Sequence, residues 1–439
     1  MLGGLQQVQK VHFSGIGGIG MSALARMFLH YGREVTGSDS SFSENISRLS
    51  DEGARVFPVQ SEDNITDSYD LLVFTPALSA DHPELMKAQR LGIPTISYPE
   101  ALGLISEDSY TIAVSGTHGK TTTTAMLARI LETAGYDPTV IVGSLFKSTD
   151  GVYSNYRFGE GGYFLVEACE YKRSFSFLHP DILVVTNIEE DHLDYYKDIS
   201  DIKEAFQQLA ERLPANGTLV YSSRDNNSRQ LCETCRGRSL DYSDQKMESD
   251  ILSVPGEHNR LNAKAAISAA SSLGVSESLS KTALRSFVGT WRRFEYKGKT
   301  DKGALVFDDY AHHPREISAT LQAAKESFSD KRIKVVFQPH LYSRLERFFE
   351  DFVEALSLAD EVILVPVYQA RKEEVFGHRS SEDLAAALDN VGRKVSSVLS
   401  LEDAVGSVRG RSEPSDVVMM MGAGDIYTAT KGLLENELF

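Results

Sequence analysis

The chain has 439 residues, too many for one hydrophobic core, so its length predicts several domains. Its 41% hydrophobic and 24% charged residues are usual for a globular protein, and no apolar run reaches the roughly eighteen residues that a membrane span needs. A net charge of −17 lacks the basic footprint of broad nucleic-acid binding, although a phosphate can still be held locally by backbone N–H groups, a lysine and a metal. The start, MLGGLQQVQK, has neither an apolar core nor a small-residue cleavage site. With only three cysteines, a reducing cytoplasm is the expected compartment.

Strand-like and helix-like segments alternate along the chain, which predicts an α/β protein with mainly parallel sheets. Three domains are expected, over 1–107, 108–294 and 295–439. The first opens with a strand at Val11–Ser14, a glycine-rich turn and a helix through about His30, followed by strands at Glu34–Gly37 and Leu71–Thr75. Pro94 and Pro99 break the pattern before Asp108. The second has a strand at Thr111–Ser115, a helix from Thr121, and strands at Tyr163–Val166 and Ile182–Thr186. Residues 222–250 are polar and irregular and read as surface loops or an excursion at a sheet edge; an alanine-rich helix around Leu261–Ser272 closes the domain. The third starts near Glu295, with strands at Ala304–Phe307, Ile333–Phe337, Val362–Val365 and Val417–Met420. No internal repeat or low-complexity tract interrupts this order.

Gly15-Ile16-Gly17-Gly18-Ile19-Gly20 matches G-x-G-x-x-G between a strand and a helix, and Asp39 ends the next strand, where a dinucleotide fold places its ribose-binding carboxylate. By itself this pattern predicts NAD. The physics is more general: glycines let the backbone approach a diphosphate at a helix N-terminus, and a UDP-sugar also carries a diphosphate and a ribose. A tight turn without a ligand is the third reading.

Ser115-Gly116-Thr117-His118-Gly119-Lys120-Thr121 also links a strand to a helix. It has the Gly-Lys-Thr end of a phosphate loop, but the first glycine of the common pattern would fall at Val114. Backbone donors can still surround phosphate oxygens, Lys120 supplies charge and Thr121 offers Mg²⁺ a hydroxyl. Glu167 ends an apolar strand in VEACEY and is well placed for Mg²⁺; alone, such a residue would be a solvated carboxylate. Asn259 and Asn262 in GEHNRLNA share a helix face and can pair with an adenine edge. Cys232 and Cys235 form one C-x-x-C pair, a weak zinc signal without a second pair.

The compact GTHGKTT loop is followed in order by VEACEY, TNIEEDHLD, GEHNRLNA, WRRFE, DDYAHHP and QPHLYSR. Over essentially its whole length the chain resembles the Mur ligases and the related folylpolyglutamate synthases. The resemblance implies a Rossmann-like UDP-binding domain, a central P-loop ATPase-like domain and a Rossmann-like C-terminal domain that receives the amino acid. It also implies ATP and one or two Mg²⁺ ions. Gly116, Thr117, His118, Gly119, Lys120, Thr121 and Thr122 would surround the phosphates, and Thr121, Glu167 and His192 would hold metal. Gly15, Gly17, Gly18, Ile19, Gly20 and Asp39 would hold the UDP-sugar. Asn259 and Asn262 would meet adenine, Arg293 the ATP phosphates and Asp309 the ribose, with His312 close to the reacting end.

QPHLYSR looks like the segment of the alanine-adding member, with His340 and Arg344 receiving the amino acid; UDP-N-acetylmuramate and L-alanine are then the implied substrates. The implied chemistry is amide formation through an acyl phosphate, in peptidoglycan precursor synthesis. Several relatives carry a carboxylated lysine that supports a second metal; Phe206 and Gln207 occupy those positions here, with Lys203 nearby. The alternatives are a ligase adding serine, glycine, another amino acid or a peptide, an NAD-dependent oxidoreductase built on the first loop, and a nucleotide sensor without turnover. The oligomeric state is open.

Overall fold

A computed structural model describes residues 3–41, 44–148, 151–248, 251–369 and 379–434. The chain forms two compact units, Met1–Ile251 with Leu261–Phe287, and Leu252–Arg260 with Val288–Phe439. Among the described residues no helix is long and apolar enough to cross a membrane.

The first unit carries two sheets. Strands β1 (Lys10–Ser14), β2 (Glu34–Ser38), β3 (Arg55–Phe57), β4 (Leu71–Phe74) and β5 (Thr95–Ser97) are all parallel, in the order β3-β2-β1-β4-β5. The order turns back at β1, and the first glycine loop leaves its C-terminal end, the usual ligand crevice of an open α/β sheet. Helices cover both faces of such a sheet, so polar residues of its central strand are buried and need partners. Ser14 and Ser38 both donate to Glu84 Oε2, at 2.6 and 2.7 Å, and Asn64 donates to Oε1 at 2.8 Å. His12 Nε2 lies 3.5 Å from the same carboxylate. Glu84 therefore ties the ends of β1 and β2 beside the glycine loop.

Burial alone would raise the pKa of Glu84, but the bonds from His12, Asn64 and Ser14 more than offset it and pull it from the ordinary 4.5 down to about 2. A depressed carboxylate contributes stability above its unfolded pKa and loses it as pH falls through the folded value. About 3 kcal/mol should thus be present above pH 4.5 and disappear toward pH 2. Glu84→Gln should lower stability at pH 7 by about that amount and flatten the acid dependence in this window. Thermal melts of both chains across the window read it; parallel curves would show that Glu84 is not ionised in the fold.

The second sheet contains β6 (Tyr110–Ser115), β7 (Thr139–Lys147), β8 (Tyr153–Arg157), β9 (Tyr163–Glu167), β10 (Ile182–Val185), β11 (Thr218–Tyr221) and β12 (Arg238–Asp241), in the order β12-β11-β10-β6-β9-β7-β8. Only the β7–β8 hairpin pairs antiparallel. Asn155 of β8 is fully buried and donates to Ile19 O at 2.6 Å and to Ser22 Oγ at 2.9 Å, while Arg26 donates to its Oδ1 at 2.7 Å. The hairpin thereby grips the helix Ile19–His30 directly behind the first loop.

The second unit holds β13 (Glu295–Lys299), β14 (Leu305–Asp309), β15 (Arg332–Phe337), β16 (Glu361–Leu364), β17 (Lys394–Ser397) and β18 (Asp416–Met421), in the order β13-β14-β18-β15-β16-β17. All pairs are parallel except β13–β14.

The structure departs from the sequence reading at several elements. Pro99 opens a helix, Tyr98–Glu107, instead of breaking the pattern: Ser97 and Glu100 form a capping box, and proline fits a first turn whose N–H has no partner anyway. Residues 222–250 hold the short helix Asn226–Arg229 and the strand β12 at the sheet edge, which agrees with the excursion reading and not with loops alone. The β7–β8 hairpin escaped the reading because its apolar alternation is interrupted where the register shifts between Ile141 and Phe146.

Candidate active site

The first loop folds back on β2. Gly15, at φ +85°, donates to Ser38 O at 2.8 Å, and a Cβ there would lie 2.5 Å from Thr75 Cγ2, so no other residue fits without movement. Asp39 follows β2, but its carboxylate turns to the loop itself: Oδ2 accepts from Gly17 N at 2.9 Å and Oδ1 from Ser41 N at 3.1 Å. Gly18 caps the helix Ile19–His30 without a side-chain bond, leaving first-turn N–H groups at the crevice, and Gly20 packs against the Tyr98 ring.

The second loop connects β6 to the helix Lys120–Thr133. Two residues after β10 hold it: Asn187 accepts from Thr117 N and His118 N, both at 2.9 Å, and Thr186 Oγ1 donates to His118 O at 2.5 Å. Gly119, at φ +84°, passes so close to Asn262 that a Cβ would sit 2.3 Å from its Oδ1. Thr122 is buried in the first turn of the helix. Lys120 Nζ turns inward and donates to Gly116 O at 2.6 Å, Thr117 O at 3.0 Å and Glu170 Oε1 at 3.0 Å. Burial disfavours both charges of this pair. Glu170 more than offsets it and raises the Lys120 pKa, while Lys120 and then His192 hold the Glu170 carboxyl below its ordinary range.

Thr121, in the first turn of the helix Lys120–Thr133, meets Glu167 at the end of β9. Thr121 Oγ1 donates to Glu167 Oε1 at 3.0 Å, and Gly143 N donates to Oε2 at 2.7 Å. His192, at φ +54°, stands apart from them, with Nε2 at 3.5 Å from Glu170 Oε1 and its ring against Tyr171. Among the described residues no group of three or more His, Cys, Asp or Glu could hold a metal unaided. Two adjacent hard oxygens beside a phosphate loop nevertheless fit Mg²⁺, which keeps waters and takes substrate phosphate oxygens. Phe206 is fully buried in the core and Gln207 pairs with Glu211, so neither faces His192 as a ligand. Cys232 and Cys235 are free and half-buried against the core.

In the helix Glu257–Ser272, Asn262 belongs to the first compact unit and Asn259 to the second. Asn259 Nδ2 donates to Pro255 O at 2.7 Å, and both asparagines are buried. The other predicted residues gather within the second unit. Arg293 lies 3.6 Å from Glu316 Oε1 and packs its guanidinium over Tyr310. His312 shares Glu316, 3.3 Å from its Nδ1, and its ring centroid is 5.6 Å from that of His340. Arg344 Nη1 is 3.0 Å from His340 Nδ1, and His340 stacks on Tyr368. Asp309 is nearly buried and accepts from Phe294 N at 2.7 Å and Ala311 N at 2.8 Å; burial raises its pKa.

Beneath this row Arg292, 2% exposed, joins Asp308 at 3.1 Å to the carbonyls of Gly422 and Gly424, and stacks on Trp291, Tyr310 and Tyr427. Burial pushes Asp308 up to about 6 even against the Arg292 charge. The Gly422–Asp425 turn is thus held from below, and Gln338 of the QPHLYSR segment donates to Asp425 Oδ1 at 2.8 Å. Glu170, Asn187, Glu316 and Arg292 are the positions that the sequence reading did not single out for a role.

Family models match three consecutive stretches: the Mur ligase family catalytic domain over 10–110, the Mur ligase middle domain over 114–270, and the Mur ligase glutamate ligase domain over 292–424. The chain belongs to the Mur ligase family. Among its relatives, the UDP-N-acetylmuramate–L-alanine ligase of Clostridium kluyveri is 42% identical over 95% of this chain and 96% of its own. That of Caldanaerobacter subterraneus subsp. tengcongensis is 39% identical over 98% of each. The crystal structure of the UDP-N-acetylmuramate–alanine ligase of Thermotoga maritima superposes with a TM-score of 0.81 at 31% identity, over 96% of this chain and 97% of that one. The oxidoreductase alternative for the first glycine loop finds no support among these relatives.

Proposed function

We infer that the chain is an ATP-dependent amide ligase that joins L-alanine to the lactyl carboxylate of UDP-N-acetylmuramate, in the synthesis of peptidoglycan precursors. The observation that carries this reading is near-full-length similarity to ligases of that name, in a chain whose phosphate loop and strand-end carboxylate meet. The three matched stretches and three sheets support domain boundaries near 107 and 294. Three free cysteines go with a cytoplasmic setting.

A carboxylate is a poor electrophile because oxide leaves badly. Transfer of the γ-phosphoryl group to a lactyl carboxylate oxygen breaks the β–γ P–O bond, releases ADP and makes phosphate the leaving group. The neutral amine of alanine then attacks the acyl carbon, and collapse breaks the C–O bond with loss of one amine proton, which ends on the departing phosphate, to give amide and hydrogen phosphate. Gly116–Thr122 would cradle the phosphates, with Lys120 and Arg293 offsetting charge that spreads over the moving group. Thr121 and Glu167 would hold Mg²⁺, which supplies Lewis-acid charge neutralisation at the phosphates. His192 is the proposed contact for a second ion. Asn259 and Asn262 would meet adenine, and Asp309 the ribose. His340 and Arg344 would receive alanine beside His312. Asp39 would act on the UDP-sugar by holding Gly17, whose loop approaches the diphosphate.

Phosphate release with ATP, Mg²⁺ and UDP-N-acetylmuramate, across a panel of amino acids, tests the reading. L-Alanine should give the highest kcat/KM, and release that ignores the amino acid would overturn the assignment. Calorimetry separates the readings of the first loop: UDP-N-acetylmuramate should bind and NAD should not.

A further inference from the structure

We propose that Glu170 is a positioning residue for Lys120, fixing where the ammonium meets the transferred phosphoryl group; the proposal rests on the ligase reading above. Glu170 is 2% exposed, and a buried carboxylate is costly unless something requires it. Its two oxygens lie 3.0 and 2.9 Å from Lys120 Nζ, and Oε1 is 3.5 Å from His192 Nε2. Oε2 has the Lys120 ammonium 2.9 Å away as its charged neighbour. One acid thus links the phosphate loop to the DHLD segment.

The backbone makes this placement firm. Glu170 O accepts from Arg173 N at 2.9 Å and from the Tyr196 hydroxyl at 2.5 Å. Lys172 and Arg173 both adopt left-handed φ, at +52° and +56°, which L-residues do only at a cost. Arg173 is in turn anchored to Asp201 at 2.5 Å and Gln208 at 2.9 Å. The chain therefore spends conformational strain on a turn that delivers one carboxylate to one lysine. Lys120 donates to two loop carbonyls and this acid, so a phosphate oxygen that takes one ammonium N–H competes with these three acceptors, of which Glu170 alone is charged. Removing the charge should ease phosphate binding and loosen the placement needed for transfer.

The test uses the full chain with Glu170→Gln and Glu170→Asp, varying ATP at saturating UDP-N-acetylmuramate and L-alanine. E170Q should lower kcat about tenfold and lower KM for ATP about threefold, a split that loss of folded enzyme does not produce. E170D, which retracts the charge by one methylene, should keep KM for ATP and lower kcat a few-fold. A fall of kcat in E170Q with KM for ATP unchanged or raised, or no change in either, overturns the proposal. Should E170Q not fold, a wild-type kcat in E170D overturns it. Calorimetric binding of a non-hydrolysable ATP analogue with Mg²⁺ should be about threefold tighter in E170Q. If the wild-type chain gave no turnover with these substrates, the ligase reading would fall. The analogue titration would still report whether Glu170 competes with phosphate.

Discussion

Lys120→Ala should reduce turnover by about two to three powers of ten, the usual loss when one preorganised charge at a reacting phosphate is removed. The expectation comes from the place of Lys120 at the start of a helix, with Thr121 beside it already bonded to Glu167. Its ammonium is within reach of the loop carbonyls that a nucleotide would face. The same structure adds a cost in stability. Without Lys120 the buried Glu170 keeps His192 near its carboxylate, and breaking a buried ion pair from one side typically costs about 3–5 kcal/mol. K120A should therefore melt lower as well as turn over slowly. Glu170→Ala in that background should recover stability but not activity. Steady-state kinetics and thermal melts on the single and double variants separate the two effects. Near-wild-type turnover in folded K120A would remove Lys120 from the ATP site.

Arg344→Met should raise KM for L-alanine roughly tenfold to more than a hundredfold, with little change for ATP or UDP-N-acetylmuramate. A guanidinium can clamp a carboxylate with charge-assisted bonds of about 1.5–3 kcal/mol each, and methionine keeps much of the stem volume while removing them. His340 orients the group, with its Nδ1 3.0 Å from Nη1, and Tyr368 in turn orients His340. The two glycine loops belong to the other compact unit, and Arg293 and Asp309 keep their own partners, Glu316 for the first and the N–H groups of Phe294 and Ala311 for the second. Varying each substrate in turn measures the change. An unchanged KM for alanine would make Arg344 a structural partner of His340 and move the amino-acid site elsewhere.

Local sequence carried the parts whose physics is local. A glycine that must hold positive φ, a lysine at a helix start and an acid at a strand end are visible as short motifs, and Gly15, Lys120 and Glu167 stand where those motifs place them. Parallel β1, β4, β6, β10, β15 and β18 were legible because strands covered on both faces read as apolar runs. The order of motifs was enough to indicate the family. Edge elements were poorly legible. In β12 and β17 polar residues predominate, and β7 has an interrupted alternation, so periodicity has little to act on.

Partners far apart in sequence were decided by tertiary structure alone. Glu170 is fifty residues from Lys120, Asn187 sixty-nine from His118, and Asn155 one hundred and twenty-nine from Arg26. Nothing in the local sequence of a single acid or amide records which buried group it must satisfy. Asp39 shows the converse: its position suggested a ribose ligand, while the fold turns its carboxylate onto Gly17 N. A motif specifies which chemical groups are available. The packing that desolvates them decides which are consumed within the protein, because a buried polar group takes the nearest partner that offsets its lost water.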